Sequence, residues 1–200
     1  MRKVVLYMNM TFDGFFNLDW MGSKLFTQDQ ELIEDNIARM RGSGEATTSE
    51  SGGGAFVGYQ FYRGMVSYWR NVENSSDSTE SQRATARAVN VSHRIVVSRT
   101  QEKLESENAE LLVVKSDQEL VAAVTRLKEQ AGSDFALIGG VRTARTFARL
   151  GLIDEYEVLV YPVVLGKGEQ VWTSRSDLAL VSVKAYPSGI MRVRYVPRES

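Results

Sequence analysis

The stretch Phe135 to Gly151, FALIGGVRTARTFARLG, decides the fold. Phe135 to Ile138 is a short apolar run of the kind that forms a strand buried on both faces. Gly139-Gly140 interrupts it, and Val141 to Leu150 then reads as a helix closed by Gly151. Strand, glycines and helix in that order make the repeating unit of an α/β sheet. A turn without side chains lets phosphate oxygens approach backbone amides at the positive end of a helix. The same two glycines also serve a tight strand-to-helix turn that binds nothing.

The flanking segments extend the pattern. Toward the C-terminus, Glu155 to Val164 (EYEVLVYPVV) reads as a long strand, with Pro162 marking an edge or bulge near its end. Leu178 to Tyr186 and Ile190 to Val196 alternate around Pro187-Ser188-Gly189 as an antiparallel hairpin. Toward the N-terminus, Ser116-Asp117-Gln118-Glu119 has the form of a capping box, followed by Leu120, Val121, Val124 and Leu127 at helical spacing. Leu111 to Val114, Arg94 to Ser98 and Ala55 to Tyr59 are strand candidates. Gln60 to Trp69 is a helix, and Arg83 to Val89 a helical turn. Lys3 to Asn9 (KVVLYMN) is apolar on both sides, hence a central strand, and Phe26 to Met40 is an amphipathic helix. Residues 41–54 (RGSGEATTSESGGG) and 73–82 (ENSSDSTESQ) lack the apolar content to offset ordering, and read as flexible loops. The whole, 1–200, reads as a single α/β domain: a mixed, mainly parallel sheet flanked by helices, ending in an antiparallel hairpin.

Composition removes several classes of function. Lys and Arg total 24 against 25 Asp and Glu, which argues against a general nucleic-acid surface. With no cysteine there is no disulfide framework, thiolate metal site or thiol nucleophile. A single histidine, His93, makes a Ser-His-Asp triad or a multi-histidine metal centre a poor candidate. No apolar run approaches the roughly 18 residues of a membrane span, and none resembles a signal peptide, so the expectation is a cytoplasmic protein with neither membrane nor nucleic acid as partner. P-loop and Gly-x-Gly-x-x-Gly signatures are missing.

Other positions carry possible chemistry. Ser98-Arg99-Thr100 at a strand exit combines a hydroxyl with a guanidinium, a pair suited to phosphate. Asp13 follows the first strand, where α/β sheets open onto their ligand crevice, and a carboxylate there can hold or protonate a heterocycle. Asp13-Gly14 is equally an ordinary turn. Trp20, Tyr62 and Trp69 offer an apolar wall for a flat ligand, although aromatics more often pack in cores.

Together these segments resemble the dihydrofolate reductase-like family typified by the C-terminal reductase domain of the bifunctional riboflavin-biosynthesis deaminase-reductase. Asn9-Met10-Thr11-Phe12-Asp13-Gly14-Phe15 is similar to that family's Ser-Leu-Asp-Gly-Phe segment, and Asp19-Trp20 follows at the usual distance. Gly58 to Tyr62, with Tyr68-Trp69 after it, sits where the family has Gly-Arg-x-Thr-Tyr and a Trp. His93 to Thr100 is similar to its Lys-x-Val-x-Ser-Arg-Thr strand. Ile138-Gly139-Gly140, Leu150 to Glu155, and Pro162 to Gly168 follow in the family's order.

The resemblance implies NADPH bound across the C-terminal ends of the central strands and a homodimer. It puts Gly139, Gly140 and Val141 at the pyrophosphate, Ser98 and Arg99 near the adenosine 2'-phosphate, and Gly58 and Tyr59 beside the cofactor. It makes Asp13 the catalytic and substrate-lining carboxylate, with Trp20 and Tyr62 against the substrate. The reaction implied is hydride transfer from nicotinamide to a small, pterin- or pyrimidine-like heterocycle. One departure stands out: Tyr59 and Phe61 replace the Arg and Thr of Gly-Arg-x-Thr. Losing one charge-assisted contact costs about 1.5 to 3 kcal/mol. The competing reading is therefore a non-catalytic ligand-binding or dimerisation protein on the same scaffold, with weakened cofactor binding.

Overall fold

The computed structural model describes residues 1–16, 29–42, 54–104 and 108–198. The strands are β1 (Val4–Thr11), β2 (Phe15–Phe16), β3 (Gly54–Gly58), β4 (Arg94–Ser98), β5 (Ala109–Val113), β6 (Phe135–Gly139), β7 (Glu155–Tyr161), β8 (Glu169–Gln170), β9 (Leu178–Ala185) and β10 (Met191–Pro197). The helices are α1 (Gln30–Gly42), α2 (Tyr59–Asn74), α3 (Glu80–Val91), α4 (Asp117–Glu129) and α5 (Val141–Arg149). Eight strands form one sheet in the order β5-β4-β3-β6-β1-β7-β10-β9. The first six run parallel, and β10 and β9 return antiparallel as the expected hairpin.

Sequence and register explain which side chains face which layer. Along β1, Val4, Leu6 and Met8 join a core with Leu120, Ala123 and Val124 of α4 and Ala144 and Phe147 of α5. The opposite face is covered by α1 and α2: Leu32 packs with Leu159 and Tyr161, and Val57 and Val96 pack with Tyr62. A residue in a parallel strand between two helical layers is buried whichever way it points, which is why β1, β3 and β6 lack polar alternation. The β6 strand carries an irregularity, since Phe56 pairs with Leu137 but Val57 with Gly139. Ile138 is thus the extra residue immediately before the glycine turn.

Several boundaries differ from expectation, each for a local reason. The predicted flexible loop at 73–82 is half helical: Glu73 and Asn74 end α2, Glu80 to Gln82 begin α3, and the five residues between them form the connecting turn. Thr79 accepts from Gln82 N at 3.2 Å while the Gln82 side chain accepts from Thr79 N at 2.7 Å, a complete capping box that lets a polar sequence start a helix. At α4 the anticipated box is only half formed, because Glu119 accepts from Lys115 N at 2.7 Å rather than from Ser116 N. Of the loop predicted at 41–54, Arg41 and Gly42 close α1 and Gly54 opens β3, and the rest lies outside the described residues. Pro162 falls just beyond β7, which lies between β1 and β10 and is not an edge. His93 is largely buried, 3.5 Å from Glu110. Among the described residues, no helix is long and apolar enough to cross a membrane.

Candidate functional site

The C-terminal ends of β3, β4 and β6 meet at one cleft of about 670 Å³. Its walls include Gly58, Tyr59 and Phe61 from the start of α2, Ser98 to Thr100 after β4, and Gly140 to Thr143 at the start of α5. Phe16 of β2 and Glu169 of β8 close one side. The sequence-selected residues Gly58, Tyr59, Ser98, Arg99, Gly140 and Val141 therefore share one cleft, because adjacent parallel strands deliver their C-terminal turns to the same edge.

The turn into α5 combines a cis Gly139-Gly140 peptide with φ +145° at Gly139. Gly140 caps the helix without a side chain, and its carbonyl accepts from Thr143 N and Ala144 N. The amides of Val141 and Arg142 precede the first intrahelical bond, and the first turn carries no acid. This is a helix terminus with exposed positive potential, and Arg142 adds a guanidinium to it.

The bare faces of the glycines are already in use. A Cβ at Gly139 would stand 2.7 Å from the Phe61 ring, and one at Gly140 3.3 Å from Phe61. Phe61 thus packs on the side of both glycines where a side chain would stand, and Gly140 also lines the cleft. Gly58 is required differently, since a Cβ there would lie 2.2 Å from Thr143 Oγ1. The α2 and α5 termini touch at this point, which brings the two walls of the cleft together.

Ser98 is buried, and its Oγ accepts from Gln101 N at 2.9 Å and Thr100 N at 3.3 Å, so its oxygen shapes the loop while its hydroxyl proton stays available. Arg99 lies at the mouth and pairs with Asp117, which also accepts from Arg149 at 2.7 Å. The hydrogen bonds from Arg149 and Arg99 hold the Asp117 carboxyl below the ordinary aspartate range.

Two expected substrate residues, Asp13 and Tyr62, line neither of the two spaces described in this section. Asp13 accepts from Thr11 Oγ1 at 2.6 Å, Leu165 N at 3.0 Å and Gly166 N at 2.7 Å. Those bonds, the one from Thr11 foremost, hold its carboxyl below the usual range. It pins the 162–168 loop, and with it the β2–β8 ribbon, to the end of β1, and it lines neither cleft described in this section. These bonds give Asp13 an anchoring role between β1 and the 162–168 loop. Tyr62 is 8% exposed and packs in the core with Val57 and Val96 rather than against a ligand space. Trp20 lies outside the described residues.

A second, smaller pocket of about 140 Å³ opens on the α1–α2–α3 side of the sheet. Phe61 lines both spaces. The pocket's apolar wall is Met40, Phe61, Met65, Trp69 and Leu159, and its polar groups include Asn9, Asn36, Arg39 and Glu157. Sequence reasoning singled out Trp69 and, as a departure from the family pattern, Phe61 among these. The available signal was Glu157 itself, an ionisable residue inside the otherwise apolar run of a central strand. Burial pushes its carboxyl above the ordinary glutamate value, opposed by Arg39, Arg192 and Arg194.

Comparisons with known proteins agree with the topology. A family model described as the RibD C-terminal domain matches residues 2–191. The uncharacterized protein YyaP of Bacillus subtilis (strain 168) is 26% identical over 130 residues, covering 64% of this chain and 66% of that relative's length. A solved pyrimidine reductase-like protein from Corynebacterium diphtheriae superposes with a TM-score of 0.64 at 14% identity, covering 100% of this chain and 93% of the other. The deaminase/5-amino-6-(5-phosphoribosylamino)uracil reductase of Thermotoga maritima superposes with a TM-score of 0.62 at 17% identity. There the match covers 98% of this chain and 57% of the longer one. At these identities the solved structures establish a shared fold.

Proposed function

The chain belongs to the RibD C-terminal domain family, and from that membership we propose that it is an NADPH-dependent reductase acting on a small, flat heterocycle. One observation carries the reading: three strand ends deliver Gly58–Tyr59, Ser98–Thr100 and Gly140–Thr143 to a single cleft of about 670 Å³, within the usual range for a cofactor site. The donors fit a dinucleotide. The amides of Val141 and Arg142 suit the pyrophosphate, Arg99 with the Ser98 hydroxyl suits a 2'-phosphate, and Tyr59 supplies a flat surface. When bound, NADPH supplies the hydride. The chain orients donor and acceptor and excludes water, and the accompanying proton comes from solvent or the substrate's surroundings. Reductive chemistry on a soluble cofactor suits a cytoplasmic protein.

We also propose a homodimer. Among the described residues β9 is a sheet edge paired with β10 alone, and Leu180, Val181 and Val183 along it are 58%, 50% and 53% exposed. An apolar edge of this kind is a template for a second copy. The competing non-catalytic reading is favoured by Tyr59 and Phe61, because Phe61 fills the space at the glycines and no guanidinium stands at position 59.

Calorimetric titration with NADPH and, in parallel, NADH decides between the readings. Binding of NADPH at about micromolar Kd, with weaker NADH, is the expected result. No heat from either cofactor at about 1 mM would overturn the reductase reading and leave the non-catalytic one.

A further inference from the structure

The carboxylate of Asp117 stands where two segments of the chain bring guanidinium groups together. Val114 N donates to Ser98 O at 2.9 Å, which lays the exit of β5 beside the exit of β4. Three residues on, Asp117 opens α4 within reach of Arg99, the residue that follows β4. One carboxylate oxygen accepts from Arg99 Nη2, and the other accepts from Arg149 Nη2 at 2.7 Å. Among the described residues the Arg99 guanidinium donates to nothing else. Of the three side chains only Arg99 lines the cleft.

This contact bears on what Arg99 can hold. Nη2 takes part in both two-pronged faces of a guanidinium, so a carboxylate on it leaves at most one face for a phosphate. A phosphate monoester on that face would bring further negative charge beside Asp117. Protonation does not relieve the contact near neutral pH, because the bonds from Arg149 and Arg99 hold the carboxyl below the ordinary aspartate range. Arg149 moderates the competition instead, drawing on the same charge through the second oxygen. An acid in the first turn of α4 also favours that helix, a duty that does not reach the cleft.

Resting on the reading that the cleft takes NADPH, we propose that Asp117 is a latch on Arg99. It competes with the adenosine 2'-phosphate for the guanidinium and narrows the preference for NADPH over NADH, and Arg149 sets the strength of the latch by sharing the carboxylate. A ligand with a 2'-phosphate draws Arg99 away while Arg149 retains the carboxylate. A ligand without one leaves the pair closed. Asp117 is thus a specificity-determining residue outside the cleft wall.

Calorimetry on the full chain at fixed ionic strength compares NADPH with NADH, and adenosine 2',5'-bisphosphate with 5'-AMP. Asp117→Asn is expected to tighten the two 2'-phosphorylated ligands about two- to fivefold, the range of an exposed ion pair, and to leave NADH and 5'-AMP unchanged. Arg149→Ala should weaken the 2'-phosphorylated ligands about twofold, and that loss should vanish in an Asp117→Asn background. In an Arg99→Ala background Asp117→Asn should change nothing. Without ligand, the side-chain nitrogen resonances of Arg99 should show slowed guanidinium rotation in the wild type and free rotation in Asp117→Asn. Weaker NADPH binding by Asp117→Asn would make the carboxylate a support for Arg99 and overturn the latch. Equal changes with and without the 2'-phosphate, or a freely rotating Arg99 in the wild type, would also overturn it. A loss in Arg149→Ala that persists in the Asp117→Asn background would make Arg149 a phosphate ligand in its own right and overturn the sharing. Wild-type protein that binds neither NADPH nor NADH would bring down the reductase reading and the latch together, whereas NADPH binding with unchanged ratios removes the latch alone.

Discussion

Replacing Gly58 with alanine should reverse its effect on stability according to what stands at position 143. The backbone at Gly58 has φ −74° and ψ 142°, which any residue adopts, so Gly58→Ala carries no conformational strain. Restricting the unfolded chain alone would stabilise the protein by about 0.4–1 kcal/mol. Against this, the new Cβ would stand 2.2 Å from Thr143 Oγ1, well short of the 3.4 Å at which ordinary contact begins. Relief requires either a turn of a stiff β-branched χ1 or a shift of α2 against α5, and overpacking of this kind costs about 1–3 kcal/mol. The net expectation is a loss of about 1–2 kcal/mol. In a Thr143→Ala background the clashing oxygen is gone and the remaining Cβ lies 3.5 Å away, so the same substitution should stabilise. Urea denaturation of the four proteins measures the coupling, expected at about 1–3 kcal/mol. Gly58→Ala effects that agree in sign and within about 0.5 kcal/mol in both backgrounds would refute the argument that direct contact of two helix termini forms the cleft.

Arg99→Ala should weaken NADPH about ten- to hundredfold in calorimetry and leave NADH unchanged, since only the former carries a 2'-phosphate. Equal losses for both would remove Arg99 from that role. Asp13 has a folded pKa below its unfolded value, so its contribution is complete above the ordinary aspartate pKa and is lost as pH falls through the depressed one. Thermal scans should therefore show the wild type losing more stability than Asp13→Asn between neutral pH and about pH 2. Parallel curves would contradict the anchoring role. Val183→Lys puts a charge on the exposed β9 edge and should turn a dimer into a folded monomer in sedimentation, with a melting temperature that no longer depends on protein concentration. An unaltered sedimentation coefficient would move the interface elsewhere.

The layering of the sheet was legible because it depends on patterns that survive without neighbours. FALI before two glycines, RIVVS, and the alternating hairpin around Pro187-Ser188-Gly189 are decided by burial and turn chemistry within ten residues. The polar stretch 73–82 was legible only in its middle, residues 75–79, for a complementary reason. Its composition resembles a loop, but Thr79 and Gln82 satisfy each other's orphan amides, and α3 then packs on α2 through Ala86 and Val89, a gain composition does not reveal. The cofactor cleft was largely readable, since each strand exit carries its own local signature. Phe61 was read only as a missing hydroxyl. Its packing on Gly139 and Gly140 depends on two segments nearly eighty residues apart.

The two carboxylates show why a motif and a role need not coincide. Asp13 occupies the marked position, yet three donors at 2.6–3.0 Å consume it, and its energetic effect is to fix a loop. Glu157 has no motif, and its burial among guanidiniums at 3.4–3.8 Å is an expensive arrangement for stability alone. Desolvating a charge costs several kcal/mol unless direct hydrogen bonds offset it. A carboxylate serving only to hold β7 to its neighbours would gain by closing to hydrogen-bond distance, as Asp154 does with Lys128 at 2.8 Å and Val4 N at 2.7 Å. Glu157 stays short of that closure and lines the small pocket beside Phe61, so its three guanidinium neighbours offset its desolvation through charge rather than through direct hydrogen bonds.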